Sequence, residues 1–340
     1  MPETGNPRGV RKSPLSDAMD HLLKREAALN RQDFRYAITV FTATYNRAHL
    51  LQRVYRSLVL QTFRDFEWLV VDDGSTDNTE ETVRKLSAEG SIPIRYVRKP
   101  NGGVHTAINR GAKEARGFFL AGLDSDDWYR PDALERLMRR WAEIPGEQQI
   151  RYAGVVGLSE FESGKIEGNH PAEDIVDSDP VGIRLYYGMS GNRAGIMRTE
   201  VLREFPFPEN QRAFVGEQLI WNRIGRRYLT RYVNERITVK EYQQEGLSDR
   251  ALAHQIDGAP TTTQYYKELL DYPYRFPLKF MIKYYANYVR FSLHASIPLS
   301  RQMADVPSRW KFLLLYPLGY WLYRRDRRRL ENELASIHHS

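Results

Sequence analysis

Between Ala37 and Trp141 the chain alternates short β-branched or aromatic runs with stretches whose apolar positions recur at helical spacing. Ala37–Ala43 predicts a strand and Ala48–Leu60 an amphipathic helix. Glu67–Val71 predicts a second strand, closing in Asp72-Asp73-Gly74-Ser75. Asp77, with Glu80 three residues on, reads as an N-cap and capping-box partner for a helix running to about Ala88. Ile92–Val97 predicts a strand, Thr106–Ala115 a helix, and Gly117–Leu123 a strand ending in Asp124-Ser125-Asp126-Asp127. Pro131 fits the first turn of the helix that follows. Such alternation implies an α/β fold with a doubly wound, mainly parallel sheet.

Ligands in such sheets bind outside the carboxyl ends of the strands. Thr44-Tyr45-Asn46, Asp72-Asp73-Gly74-Ser75 and Asp124-Ser125-Asp126-Asp127 all fall at such ends, so three segments distant in sequence are expected on one rim. Beyond residue 150 the pattern weakens. Ala153–Leu158, Arg231–Val233 and Ile237–Tyr242 read as short strands and Gly216–Arg227 as a helix, forming the other half of one site. The expected organisation is a partly disordered extension over 1–35, with a weak helix at Asp17–Asn30, then a main domain over 36–250. That domain divides into two halves, 36–130 and 131–250, and a helical region follows over 251–340.

Composition narrows the chemistry. With 340 residues, 41% hydrophobic and 27% charged, the chain is of ordinary globular composition. It has no cysteine, which excludes disulfides, zinc-thiolate sites, iron–sulfur clusters and a cysteine nucleophile, and fits a reducing compartment. The first 30 residues lack the apolar core of a secretory signal. The longest apolar stretch, Phe312–Tyr323, is broken by Pro317 and Gly319 and is too short to span a bilayer.

Asp124-Ser125-Asp126-Asp127 is the sharpest local signal. Asp124 and Asp126 point the same way on an extended chain, and two such carboxylates raise each other's pKa unless a cation neutralises them. A hard divalent ion, Mg²⁺ or Mn²⁺, shared with substrate phosphates is the economical explanation, with a solvated acidic turn as the competing one. The sixth position from Asp124 is Tyr129 rather than Gly, which rules out an EF-hand. Asp72 and Asp73 could accept from a base N–H or a ribose hydroxyl, and Asn101-Gly102-Gly103 could let backbone approach a diphosphate closely. No GxGxxG follows the first strand and no GxxxxGK[ST] occurs, against dehydrogenase and P-loop readings. His105 lacks a partner nucleophile and is read as structural.

Phe41-Thr-Ala-Thr-Tyr-Asn46, Gln61-Thr-Phe, Val70-Val-Asp-Asp-Gly-Ser-Thr-Asp77, Asn101-Gly-Gly, Ala107-Ile-Asn-Arg-Gly111 and Leu123-Asp-Ser-Asp-Asp-Trp128 together resemble the family 2 glycosyltransferases, inverting enzymes of GT-A fold. The resemblance covers about residues 40–130 and extends more loosely to about 250. It implies a nucleotide-diphosphate sugar donor, most often a UDP-sugar. Thr44 and Tyr45 would then flank the nucleoside, Asp73 bind the base, Asp124 lie against ribose or donor sugar, and Asp126 hold the metal on the diphosphate. Asn46, Asp72, Asn101, Gly102, Gly103 and Ser125 complete the expected donor site. The general base would open a helix in the second half. Glu217 is the candidate, although Gln218 stands where related enzymes often carry Asp, and Glu245 is a weaker one. Asp127, Trp128, Asn192, Arg193 and Trp221 are candidates for the acceptor side. A sugar-phosphate nucleotidyltransferase and a catalytically degenerate scaffold at the membrane are the rival readings.

The charge is unevenly placed. Residues 271–340 hold 12 Lys and Arg against 5 Asp and Glu, so the whole net charge of +7 sits there. On a wheel of Phe276–Leu293, Lys279, Lys283 and Arg290 form a cationic stripe opposite Phe280, Met281, Tyr284, Tyr285, Tyr288, Val289 and Phe291. Trp310, Tyr316, Tyr320, Trp321 and Tyr323 then precede the cluster Arg324-Arg-Asp-Arg-Arg-Arg329. Aromatic residues beside clustered arginines suit an anionic lipid headgroup layer. The expectation is a cytoplasmic enzyme, peripheral on the inner face of the cell membrane, acting on a glycan or polyprenyl-linked glycan in cell-surface polysaccharide assembly. A helical hairpin packed on the catalytic domain is the alternative for this region. The acidic rim argues against nucleic acid as a partner.

Overall fold

The computed structural model describes residues 33–209, 215–241 and 251–337. The predicted N-terminal helix, Tyr242 at the end of a predicted strand and Glu245 lie outside them. The chain begins β1 (Tyr36–Thr44), α1 (Ala48–Val59), β2 (Phe66–Asp72), α2 (Thr79–Ala88), β3 (Ile94–Arg98), α3 (Val104–Glu114), β4 (Gly117–Gly122) and β5 (Asp127–Tyr129). There follow α4 (Ala133–Ala142), α5 (Gly146–Gln149), β6 (Tyr152–Phe161), β7 (Ile175–Ser178), α6 (Pro180–Tyr186), β8 (Arg193–Arg198), α7 (Thr199–Glu204), α8 (Gln218–Gly225) and β9 (Leu229–Lys240). The remaining helices are α9 (Ala251–Asp257), α10 (Ala259–Leu270), α11 (Leu278–His294), α12 (Leu299–Ala304) and α13 (Arg309–Ile337).

The strands form one sheet in the order β3-β2-β1-β4-β8-β6-β9-β5, with β7 also on β9. It is parallel from β3 to β4. Past β4 it turns mixed, because β8 runs antiparallel to both β4 and β6 while β6 and β9 are parallel. The first strands are near-continuous apolar runs because helices cover both faces. Their alternation divides two cores. Ile38, Val40, Trp68 and Val70 pack with Leu51, Val54 and Leu58 of α1 and Leu134 and Leu137 of α4. Phe41, Leu69 and Val71 face the other way, against Ala107 of α3, Val201 of α7 and Leu219 and Ile220 of α8.

A third core joins α10, α11 and α13 through Tyr266, Tyr288, Val289, Phe291 and Phe312. This bundle is tied to the sheet domain by polar contacts. Asp179 caps α6, its Oδ1 accepting from the backbone N–H of Val181 and Gly182, and its carboxylate also accepts from the hydroxyls of Tyr272 and Tyr274. Arg223 of α8 pairs with Glu268 of α10 at 2.7 Å.

Three local expectations are corrected. Asn78, not Asp77, is the N-cap residue of α2, and it makes no side-chain cap. Asp77 instead bridges two helix starts, accepting from the Thr79 N–H and hydroxyl and from the Ala48 N–H. The two strands expected at Arg231–Val233 and Ile237–Tyr242 are one, β9, which carries its polar middle through irregular pairing with β6. Arg290 does not belong to an outward cationic stripe, because it is buried against α13 with Nε 2.5 Å from Asp326 Oδ2 and Nη2 2.7 Å from Oδ1.

Candidate active site

The polar loops at the ends of β1, β2 and β4 meet on one rim. Leu123, just past β4, donates its N–H to Phe41 of β1, and the Asp73 N–H is given to Thr44. Thr44 is buried, and among the described residues its hydroxyl oxygen has no partner. Tyr45 next to it is 48% exposed, an aromatic face open to a planar ligand. Asn46 adopts a positive φ of 53°, a conformation Asn tolerates better than most residues. Its carboxamide oxygen accepts from the N–H groups of Thr76 and Asp77, and its own N–H reaches the Ser75 hydroxyl. Asn46 is thus a latch between the β1 and β2 loops rather than an open ligand contact.

Asp72 is corrected likewise. As the last residue of β2 it turns inward, 1% exposed, accepting from the Ser75 N–H and the Tyr96 hydroxyl. Asp73 has a subtler fate. Its two oxygens accept from Lys99 Nζ, from the N–H groups of Gly102 (3.0 Å) and Gly103 (2.7 Å), and from Asn101 Nδ2 (3.3 Å). A carboxylate offers about four lone-pair sites, so this one is saturated. Asp73 anchors the Asn101-Gly102-Gly103 turn that opens α3, and a base reaching it must displace one of these donors. Gly74 lets the two segments meet: at φ 84° it sits where a Cβ would come within 2.9 Å of the Asn101 nitrogen.

The acidic loop is held on a second side. Arg47, which follows Asn46, places Nη1 3.2 Å from the Ser125 hydroxyl and 3.3 Å from Asp126 Oδ2. Arg53 donates to the Asp126 carbonyl at 2.7 Å and lies over the Trp128 ring, 4.4 Å from its centroid. Trp128 therefore packs under α1 rather than offering both faces to an acceptor. Asp127 is buried in β5, with Lys240 Nζ 3.8 Å from its carboxylate, and Lys240 also reaches Glu167 at 3.7 Å. Burial, then the charge of Asp124, pushes the Asp127 carboxyl up to about 8.

Asp124 and Glu217 share an environment. Each is open to solvent yet lies deep among protein atoms, as groups lining a cleft do. Desolvation raises the Asp124 carboxyl, with Lys240 opposing and Asp126 adding to the rise. Desolvation and then the Asp124 charge push Glu217 up to about 7. Water reaching the carboxylate relaxes part of that shift, and the upward direction is what matters for chemistry. Glu217 stands at the N-cap of α8 but makes no capping hydrogen bond. Its Oε2 accepts from Trp221 Nε1 at 3.3 Å, one helical turn on.

The other acceptor-side candidates divide. Asn192 is exposed. Arg193 donates to the carbonyls of Glu167, Asn169, Ser190 and Asn192, so it clamps two loops together rather than facing a ligand. His105 is buried at the start of α3, in keeping with a structural part. Sequence reasoning missed Arg47, Lys99 and Lys240, the cations among these carboxylates. Arg47 adjoins a recognised motif and could have been found; Lys240, at the end of a distant strand, carries no local signal.

Hard carboxylate oxygens are the right chemistry for Mg²⁺ or Mn²⁺. Among the described residues no three His, Asp or Glu side chains converge to hold a metal unaided. The partly exposed Asp126 carboxylate fits an ion that takes its remaining ligands from phosphate and water.

A sheet parallel through β3-β2-β1-β4, mixed beyond, with an acidic loop at the central strand ends, is the GT-A fold of nucleotide-sugar glycosyltransferases. Residues 39–194 match the family described as Glycosyl transferase family 2. Over 105 residues the chain is 39% identical to a chondroitin synthase of Pasteurella multocida (strain Pm70), a match covering 31% of this chain and 11% of the relative. With glycosyltransferase GlyA of Streptococcus pneumoniae it shares 35% over 110 residues, covering 32% and 16%. The chain thus matches under a fifth of the length of either relative. Among solved structures, S. aureus TarS 1–349 in complex with UDP-GlcNAc superposes with a TM-score of 0.59 at 18% identity, covering 85% of this chain and 92% of that one. A mannosyltransferase from Pyrobaculum calidifontis in complex with GDP-Man and Mn²⁺ gives 0.50 at 16%, covering 91% and 92%. At such identities the likeness establishes the fold.

Proposed function

We propose that this protein is a metal-dependent inverting glycosyltransferase. It moves a sugar from a nucleotide-diphosphate donor, a UDP-sugar in the first instance, to a hydroxyl of a glycan or lipid-linked glycan. The observation that carries the reading is the acidic Asp124–Asp127 loop at the central strand ends together with Glu217, a carboxyl near enough for the Asp124 charge to help raise it. A base so raised is matched to neutral pH.

Glu217 takes the proton of the acceptor hydroxyl as that oxygen bonds to the anomeric carbon, and the bond from that carbon to the diphosphate breaks with its electron pair leaving on phosphate. Trp221 holds the carboxylate by its indole N–H. A divalent ion, when bound, neutralises the charge gathering on the departing diphosphate, and Asp126 is the residue that would hold it. Arg47 adds a fixed cation on the same rim. Tyr45 offers its ring to the base, and the Thr44 hydroxyl beside it has no partner among the described residues. Asp124 is placed for ribose or donor sugar. The UDP-sugar bound by TarS and the Mn²⁺ bound by the archaeal mannosyltransferase support this assignment of donor and ion. The basic, aromatic-rich C-terminal region supports an acceptor met at a membrane surface, such as a lipid-linked glycan in cell-surface polysaccharide assembly.

The test is release of nucleoside diphosphate from a panel of nucleotide sugars with Mn²⁺ or Mg²⁺, using membrane extract as acceptor. Release that depends on both metal and acceptor supports the reading. Release of pyrophosphate from a nucleoside triphosphate and a sugar phosphate would replace it with a nucleotidyltransferase. Donor binding without turnover would replace it with a scaffold.

A further inference from the structure

Helix α13 is apolar on two opposite faces. Its inner face packs on α11: Phe312 is buried, Gly319 lies so close to Val289 that a Cβ would come within 2.5 Å of it, and Asp326 is buried against Arg290. The outer face is open. Trp310 is 64% exposed, Leu314 69%, Trp321 56%, and Leu313, Leu318 and Tyr320 are exposed with them. At about 100° per residue these six fall within roughly 160° of the wheel, and Arg324, Arg325 and Arg328 continue the same face one to two turns on. A helix apolar all round is normally buried all round. Six large apolar side chains on a single exposed face are not the scattered exposure of an ordinary surface.

We propose that this outer face of α13 lies in the headgroup layer of an anionic membrane, with the helix axis in the membrane plane. Its chemistry selects lipid over a second protein. Tryptophan and tyrosine favour the boundary between acyl chains and headgroups, while the arginines need anionic partners that an apolar protein patch would not supply. Cations already sit over the aromatic faces: exposed Arg325 lies 5.2 Å from the Trp321 ring centroid and half-buried Lys311 5.6 Å from that of Trp310. Among the described residues no helix is long and apolar enough to cross a membrane, so contact through one face is the mode this region offers. Of the two stretches the sequence offers for such a contact, α13 keeps its arginines outward, whereas Arg290 of α11 is turned inward onto Asp326.

Co-sedimentation with vesicles tests this without donor or acceptor, so the outcome stands apart from the transferase reading. Full-length protein is mixed with phosphatidylcholine vesicles, or with vesicles containing one quarter phosphatidylglycerol, at low and high salt. The expected result is binding to the anionic vesicles, at least tenfold tighter than to the neutral ones and weakened by salt. Combined Trp310→Ser, Leu314→Ser and Trp321→Ser should abolish it, and Arg324→Glu with Arg325→Glu and Arg328→Glu should weaken it at least tenfold. Both variants change exposed positions and should keep the wild-type melting temperature. Equal binding by wild type and variants, or no binding to either vesicle, overturns the proposal. So does a concentration-dependent oligomer that the serine variant dissociates, which would make the face a contact between copies of this chain.

Discussion

Trp221 Nε1 stands 3.3 Å from Glu217 Oε2, one turn along α8, so the indole donates to a carboxylate that also feels the charge of Asp124. Trp221 also meets Phe207 edge-on, with ring centroids 6.3 Å apart, which fixes the indole and through it the carboxylate. Trp221→Phe should preserve this packing and remove the donor. The account expects kcat to fall about three- to tenfold with UDP affinity unchanged, since one hydrogen bond to a charged group is worth roughly 1.5–3 kcal/mol only where solvent is excluded. Steady-state kinetics beside calorimetric UDP titration checks this.

The pH dependence follows from the same residue. Glu217 must be deprotonated to accept a proton, and its carboxyl is raised to about 7. Activity should therefore climb as pH rises through that value and level off above it, whereas an unperturbed carboxylate would give a flat profile from pH 5.5 upward. A profile of kcat/KM between pH 5 and 9 shows which holds.

Metal removal should act on the acidic loop. Chelation should stop nucleoside-diphosphate release and added Mn²⁺ or Mg²⁺ should restore it. Asp126→Ala should weaken metal-dependent UDP binding by at least tenfold, whereas Asp72→Asn, whose carboxylate is turned inward, should leave it within about threefold. Calorimetry with and without the ion separates the two.

Gly74 and Asp326 test the scaffold. Gly74→Ala places a methyl group against the Asn101 backbone at a positive φ and should cost about 1–3 kcal/mol. Asp326→Ala leaves the buried Arg290 guanidinium without its carboxylate and should cost about 3–5 kcal/mol. Denaturant unfolding of the whole chain measures both.

How much of this was legible in the sequence depended on how local each cause was. β1, β2 and β4 announce themselves because both their faces are buried, giving unbroken apolar runs between turn residues. β8 gives no such signal, since only alternate residues of Arg193–Arg198 are buried and its partners lie far along the chain, and Asn192 and Arg193 stand out in the sequence only as acceptor-side candidates. The Asp-rich motifs were visible, but their division of labour was not. Neighbouring Asp72 and Asp73 point to opposite sides, and only the positions of Tyr96 and the Gly102-Gly103 turn show that one supports the strand and the other anchors α3. The inward turn of Arg290 depends on Asp326, 36 residues away, which no helical wheel contains.

The most direct test of the account compares wild type with Glu217→Gln in the same metal-dependent assay of nucleoside-diphosphate release, alongside UDP affinity by calorimetry. The account predicts that the variant binds UDP as wild type does and loses turnover by about 10²–10⁴-fold, the usual contribution of a positioned base. A variant that turns over at the wild-type rate would contradict it, because Glu217 could not then be the group that takes the acceptor proton.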